Sequence, residues 1–120
     1  MIYTSYFGNV KNILKNNPTI ELISIARVTL TYFKGIKFSF LAPSYQLLSR
    51  YKTGNITSLE YEEIYFKETL SKINREKFIE EHKSKYSNSV LLCYERRDAF
   101  CHRHLVSKYL KEGGLDINEY

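Results

Sequence analysis

The sequence predicts an α/β fold: a small, mostly parallel sheet flanked by helices in three layers, with a helical insertion before the third strand. Three features lead there. Strand-like and helix-like segments alternate along the chain. "SVLLCY" (Ser89 to Tyr94) is a nearly continuous apolar run, as a parallel strand buried on both faces requires. Gly, Pro and Asn breakers separate the segments, and helix caps open several of them.

Taken in order, "MIYTSYF" is the first strand, closed by Gly8 and Asn9. Val10 to Lys15 has room for a short helix before the Asn16-Asn17-Pro18 breaker, and "TIELISIA" (Thr19 to Ala26) is the second strand. A long loop, "VTLTYFKGIKFSF", follows Arg27. Pro43 and Ser44 open a helix through Lys52 that stops at Gly54. Thr57 and Glu60 stand at capping-box spacing for a helix to about Lys72. Asn74 caps the next helix, with Ile73 and Phe78 placed as its hydrophobic staple. After the third strand, a last helix starts near Cys101 and ends at Gly113-Gly114. The tail "LDINEY" is a candidate fourth strand.

The 120 residues fit a single domain, 1–120, and 43% hydrophobic with 15% aromatic content is a globular composition. No run of about 18 apolar residues exists, and Met1 leads directly into "IYTSYF" without the basic and apolar regions of a signal peptide. A cytoplasmic protein without membrane contact is expected, and Cys93 and Cys101 are accordingly read as reduced thiols. The net charge of +5 is uneven: residues 1–56 carry +6, 57–82 carry −3 and 83–120 carry +2. A basic N-terminal half suits an anionic partner, although a merely solvated basic surface fits equally.

Ligands of open parallel sheets bind beyond the carboxyl ends of the strands, which is where Cys93 to Arg103 must lie. The first turn of the last helix offers unpaired N–H groups and the positive end of the helix dipole. Arg103 would add a bidentate oxyanion donor there, and Arg27, closing "SIAR", should reach the same edge. On a helix, Cys101 and His102 sit at the N-terminal end of the buried face. A thiol so placed is drawn toward thiolate, making Cys101 a candidate nucleophile; a small apolar filler under the sheet edge fits the position as well. Cys93, inside the strand, reads as packing. Glu95 reads either as a general acid/base or as an exposed loop carboxylate.

The loop after Arg27 interleaves Lys34 and Lys37 with Tyr32, Phe33, Phe38 and Phe40. Cations among flat rings suit phosphates and bases, and a lid packed down by its aromatics has the same composition. The tyrosines of the helical insertion, Tyr51, Tyr61, Tyr65 and Tyr86, look like a stacking set, but the helical spacing of Tyr61, Ile64 and Tyr65 favours core packing. Zinc has four potential ligands in Cys93, Cys101, His102 and His104. The paired C-x2-C spacing of structural sites is missing, and adjacent residues 101 and 102 do not easily share a tetrahedral ion with 104. No metal and no cofactor is therefore expected. There is no Gly-rich phosphate loop and no traceable Ser-His-Asp order.

"IYTSYFGN", "SIAR", "LAPSYQLLSRYKTGNIT…EYEEIY" and "LLCYE…FCHRHLV", in this order along essentially the whole chain, resemble the family called domain of unknown function 488. The resemblance implies a compact α/β fold of a kind common in bacteria and their phages, with Arg27, Cys93, Glu95, Cys101, His102 and Arg103 at the motif positions. It supplies no agreed reaction. Where the family pattern commonly has Lys-Pro after the Glu and Pro after the Arg, this chain has Arg96-Arg97 and Val28-Thr29.

Two classes of function follow. The first is a binding module for a phosphate-bearing ligand, a nucleotide or a nucleic-acid end, held by Arg27, Arg103 and the last helix's N-terminus, with Tyr32, Phe33 or Phe38 stacking on a base. The second is an enzyme, hydrolase or transferase, acting on such a ligand through Cys101 or Glu95 with His102 as acid/base. A double-stranded DNA-binding regulator ranks below both, because the acidic helical insertion would repel a duplex.

Overall fold

The computed structural model describes residues 1–29, 31–96 and 99–120. Five strands and five α-helices are found among them: β1 (Ile2–Tyr6), α1 (Val10–Asn16), β2 (Glu21–Ser24), β3 (Ile36–Lys37), α2 (Tyr45–Lys52), α3 (Ser58–Glu68), α4 (Arg75–Lys85), β4 (Ser89–Cys93), α5 (His102–Glu112) and β5 (Ile117–Glu119). The strands form one parallel sheet in the order β3-β2-β4-β1-β5, with Leu22 opposite Val90 and Tyr3 opposite Val90 on the other side.

The caps stand where the sequence places them. Ser44 accepts from the Leu47 N–H, Thr57 and Glu60 close a reciprocal capping box, and Asn74 accepts from the Lys77 N–H. β4 is buried at every residue, and its alternation splits the core in two. Val90 and Leu92 pack with Ile13 of α1 on one face. Leu91 and Cys93 pack on the other with Tyr61 and Tyr65 of α3 and Val106 and Leu110 of α5. The insertion tyrosines Tyr61 and Tyr65 are therefore core residues, and burial pushes both phenols well above their usual pKa.

β3 has no counterpart in the sequence reading, which treated Val28 to Phe40 as loop. Two residues, Ile36 and Lys37, carry no readable period. Their pairing with Ile23 and Ser24 depends on Gly35, where a Cβ would stand 2.4 Å from the Leu22 carbonyl oxygen. The chain after Gly113 turns through Gly114 at φ +98°, a conformation glycine adopts freely, and enters β5 beside β1.

The strand order places a topological switch point in the sheet. After β1 the chain moves past β4 to β2 and then outward to β3; after β4 it moves the opposite way, past β1 to β5. Adjacent strands β2 and β4 thus send their following segments in opposite directions. That divergence opens a crevice at their carboxyl ends, the position where open α/β sheets bind ligands. No helix among the described residues is long and apolar enough to cross a membrane.

Candidate functional site

A cavity of about 220 Å³ fills this crevice. Ala26, Arg27 and Val28 line it from the β2 end, and Cys93, Tyr94 and Glu95 line it from the β4 end. Phe100, Cys101 and His102 close it from the start of α5, with Pro43, Lys52 and Tyr61 on the insertion side. Its walls are mostly apolar, with Tyr61 and Phe100 meeting edge to face at 5.0 Å between ring centres.

His102 is a buried, hydrogen-bonded polar group of the cavity. Its Nε2–H donates to the Ile25 carbonyl at 2.7 Å, tying the first residue of α5 to the chain just beyond β2. A carbonyl only accepts, so Nε2 carries the proton and Nδ1 keeps its lone pair, lying 3.8 Å from Cys101 Sγ. Burial, outweighing the Ile25 hydrogen bond and aided by Arg103, Arg27 and His104, pushes the imidazole down to about pKa 4, so it is neutral at pH 7.

Cys93 and Cys101 are both buried, at 1% and 5% exposure, and their sulfurs are bonded at 2.17 Å. This corrects the reading of both as free thiols. The end of β4 and the N-cap of α5 deliver the two side chains to one point, a convergence that spacing alone does not reveal. Cys93 is packed in the core, as its place inside the strand predicts, and also borders the cavity. Cys101 acts as a nucleophile only once the bond is reduced.

Arg103 is the second correction. Its side chain is fully buried and turned away from the cavity. Nε and one terminal nitrogen grip the Glu119 carboxylate of β5 at 3.2 and 2.9 Å, while the other terminal nitrogen donates to the Glu95 carbonyl and, at 3.1 Å, to Cys93 Sγ. Thr4 donates to the same carboxylate at 2.7 Å. Arg103 therefore joins β5, α5 and the loop after β4, and its fork is spent on the fold.

Arg27 does line the cavity. Nε donates to the Pro43 carbonyl at 2.8 Å and one terminal nitrogen to Ala42 at 3.2 Å, with the guanidinium over the Tyr45 ring. Two of its five N–H groups thus have partners among the described residues. Glu95 and Lys52 are exposed on the rim.

The aromatic loop residues are not gathered here. Phe33 packs against Phe7, Phe38 packs against Phe78 and Tyr86, and Tyr32 is exposed. None of the three lines the cavity. Lys52, which does, was missed by the sequence reading; its place at the last turn of a helix opened by Pro43, opposite the β2 end, was the available signal. Of the two positions that depart from the family pattern after Glu95, Arg96 is exposed and Arg97 lies outside the described residues.

A family model described as the active DUF488-N3 subclade, DUF488-N3a, matches residues 25–114. The match begins at Ile25, whose carbonyl anchors His102, and runs past α5. No curated protein and no solved structure matches the chain.

Proposed function

This chain belongs to the DUF488 family, and from that premise and the crevice between β2 and β4 we propose that it binds a compact ligand carrying a phosphate or comparable anionic group. The observation that carries the reading is Arg27, clamped by two carbonyls at the mouth of the cavity, with further N–H groups that have no partner among the described residues. Lys52 adds a second cation at the rim. The first turn of α5 holds no acidic residue to neutralise its dipole, and Cys101 provides no side-chain cap. A volume of about 220 Å³ is below the roughly 300–1,000 Å³ of drug-sized sites. It favours a small phosphorylated metabolite, or the terminal phosphate of a nucleotide or nucleic-acid end, over an enclosed nucleotide. The flat part of such a ligand would meet Tyr61 and Phe100 rather than the loop aromatics.

A second reading, an enzyme of hydrolase or transferase type acting on that ligand, is favoured by His102 Nδ1 facing Cys101 and by the subclade being described as active. Reduced Cys101, passing its proton to His102 Nδ1, would attack the ligand's phosphorus and break its bond to the group it carries, which leaves with that proton, while Glu95 would stand at the rim. A base held near pKa 4 is weak for a thiol, so binding ranks first.

Calorimetry with inorganic phosphate, a mononucleotide and a 5′-phosphorylated oligonucleotide at two salt concentrations tests the binding reading. Affinity should fall as salt rises. Arg27→Gln should lose tenfold or more, since a hydrogen bond to a charged group contributes about 1.5–3 kcal/mol, and Lys52→Gln should lose less. Wild-type protein that binds none of the three, or an Arg27→Gln variant that folds and binds equally well, ends this reading.

A further inference from the structure

We propose that reduced Cys93 and Cys101, together with His102, form a site for one thiophilic divalent metal ion of the zinc type, with its fourth position open to the cavity. The metal site borders the cavity proposed for the anionic ligand but rests on its own observations.

The geometry is that of a donor set. Cys93 Sγ, Cys101 Sγ and one ring nitrogen of His102 all lie within 4.8 Å of one another, and all three residues are buried. Bond lengths of about 2.3 Å to sulfur and 2.0–2.1 Å to nitrogen put neighbouring ligands of a tetrahedral ion about 3.5–3.8 Å apart. His102 Nδ1 and Cys101 Sγ are at 3.8 Å already. The cysteine Cα atoms stand 7.5 Å apart, beyond the roughly 4.4–6.8 Å usual for a disulfide. On that backbone the sulfurs, once unlinked, can part to a tetrahedral edge by side-chain rotation.

The surroundings are those of a metal ligand too. A metal-bound histidine characteristically donates its other N–H to a carbonyl or carboxylate, and His102 gives Nε2–H to Ile25. Arg103 donates to Cys93 Sγ at 3.1 Å, a contact that favours thiolate, and its own charge is balanced by Glu119. Two thiolates and a neutral imidazole cancel the charge of a divalent ion. The sequence objections to zinc were the missing C-x2-C pairing of structural sites and the difficulty of adding His104 to the adjacent residues 101 and 102; His104 is outside the donor group, leaving three protein ligands among the described residues, which is the pattern of open rather than closed zinc sites.

The balance is simple. A dithiol reductant transfers two electrons and two protons to the Cys93–Cys101 bond and becomes a disulfide itself. The ion then replaces the two thiol protons, which pass to buffer, and binds Nδ1 through its lone pair. Oxidation and metal binding are mutually exclusive states of one pair of sulfurs.

Cobalt(II) titration of reduced, desalted protein tests this. One equivalent should produce a thiolate-to-cobalt charge-transfer band and the visible bands of a tetrahedral ion, and zinc should bleach both. Oxidised protein should give neither band. Cys93→Ser and Cys101→Ser should each lose at least tenfold in affinity while keeping the wild-type circular dichroism. Should either variant fail to fold, wild-type protein alone decides the matter: zinc should protect both thiols from alkylation, read by peptide mass spectrometry. Absence of a charge-transfer band in reduced wild-type protein, a band unchanged in a folded serine variant, or equal alkylation with and without zinc would overturn the proposal. Anion calorimetry on chelator-treated protein is unaffected by any of these outcomes, so the two readings fail separately.

Discussion

Arg103→Ala should cost the protein about 3–5 kcal/mol, enough to unfold a marginally stable domain. The guanidinium is fully buried, and its removal deprives the Glu119 carboxylate of its cation, leaving Thr4 as its one side-chain partner among the described residues. It also releases the Glu95 carbonyl and leaves a cavity between α5 and the sheet. This differs from the sequence-based reading of Arg103 as a bidentate oxyanion donor at the ligand edge, because the fork is turned to Glu119 instead. Arg103→Lys should fall between, keeping the charge but losing the two-pronged grip on Glu119. Paired Arg103→Met and Glu119→Leu should cost less than Arg103→Ala alone, because no charge is left unpaired. Urea denaturation of the variants measures each value. A loss below about 1 kcal/mol for Arg103→Ala would mean that the network does not tie β5 and α5 to the sheet.

Acidification should destabilise the fold between about pH 6.5 and pH 4, and two buried histidines set that window. His82 donates Nε2–H to Ser89 Oγ, whose hydroxyl is given to the Tyr86 carbonyl, and its ring lies stacked on Phe78. Burial lowers its pKa from 6.5 to about 4, as it does for His102. Both rings are neutral in the native state where the unfolded chain takes up protons. The stability they confer is therefore complete above pH 6.5 and is lost as pH falls toward 4. Each contributes a slope on the order of 1 kcal/mol per pH unit in that range. His82→Gln should remove about half of the slope. Denaturation midpoints at pH 7, 6 and 5 that do not change would contradict the burial of both groups as neutral imidazoles.

The parts of this fold that were legible in the sequence are those fixed by short-range chemistry. Ser44, Thr57 and Asn74 cap helices through bonds to residues three positions ahead, so the pattern is visible in any window that holds both ends. The unbroken apolar run of β4 reports burial on both faces. What escaped was set by long-range pairing. The two residues of β3 exist as a strand only because Gly35 lets the backbone approach Leu22. Arg103 and Arg27 both lie near the sheet's carboxyl edge, yet a helical position does not reveal that one points inward to Glu119, sixteen residues on, and the other into the crevice. The aromatic loop offered composition without direction: Phe33 and Phe38 turn to different parts of the core and Tyr32 to solvent. That Arg27, Glu95, Cys101 and His102 line one cavity was legible because strand ends and helix starts converge at one edge in this class of sheet.

The central claim is that the crevice between β2 and β4 is where this protein meets its ligand. Backbone amide chemical shifts, followed while inorganic phosphate and then a mononucleotide are titrated into the protein, test it most directly. The account predicts saturable shifts concentrated at Ala26 to Val28, at Lys52, at Tyr94 and Glu95, and at Cys101 and His102, with Tyr32, Phe33 and Phe38 little affected. Saturable shifts that cluster on the aromatic loop or the helical insertion, with those residues silent, would contradict it.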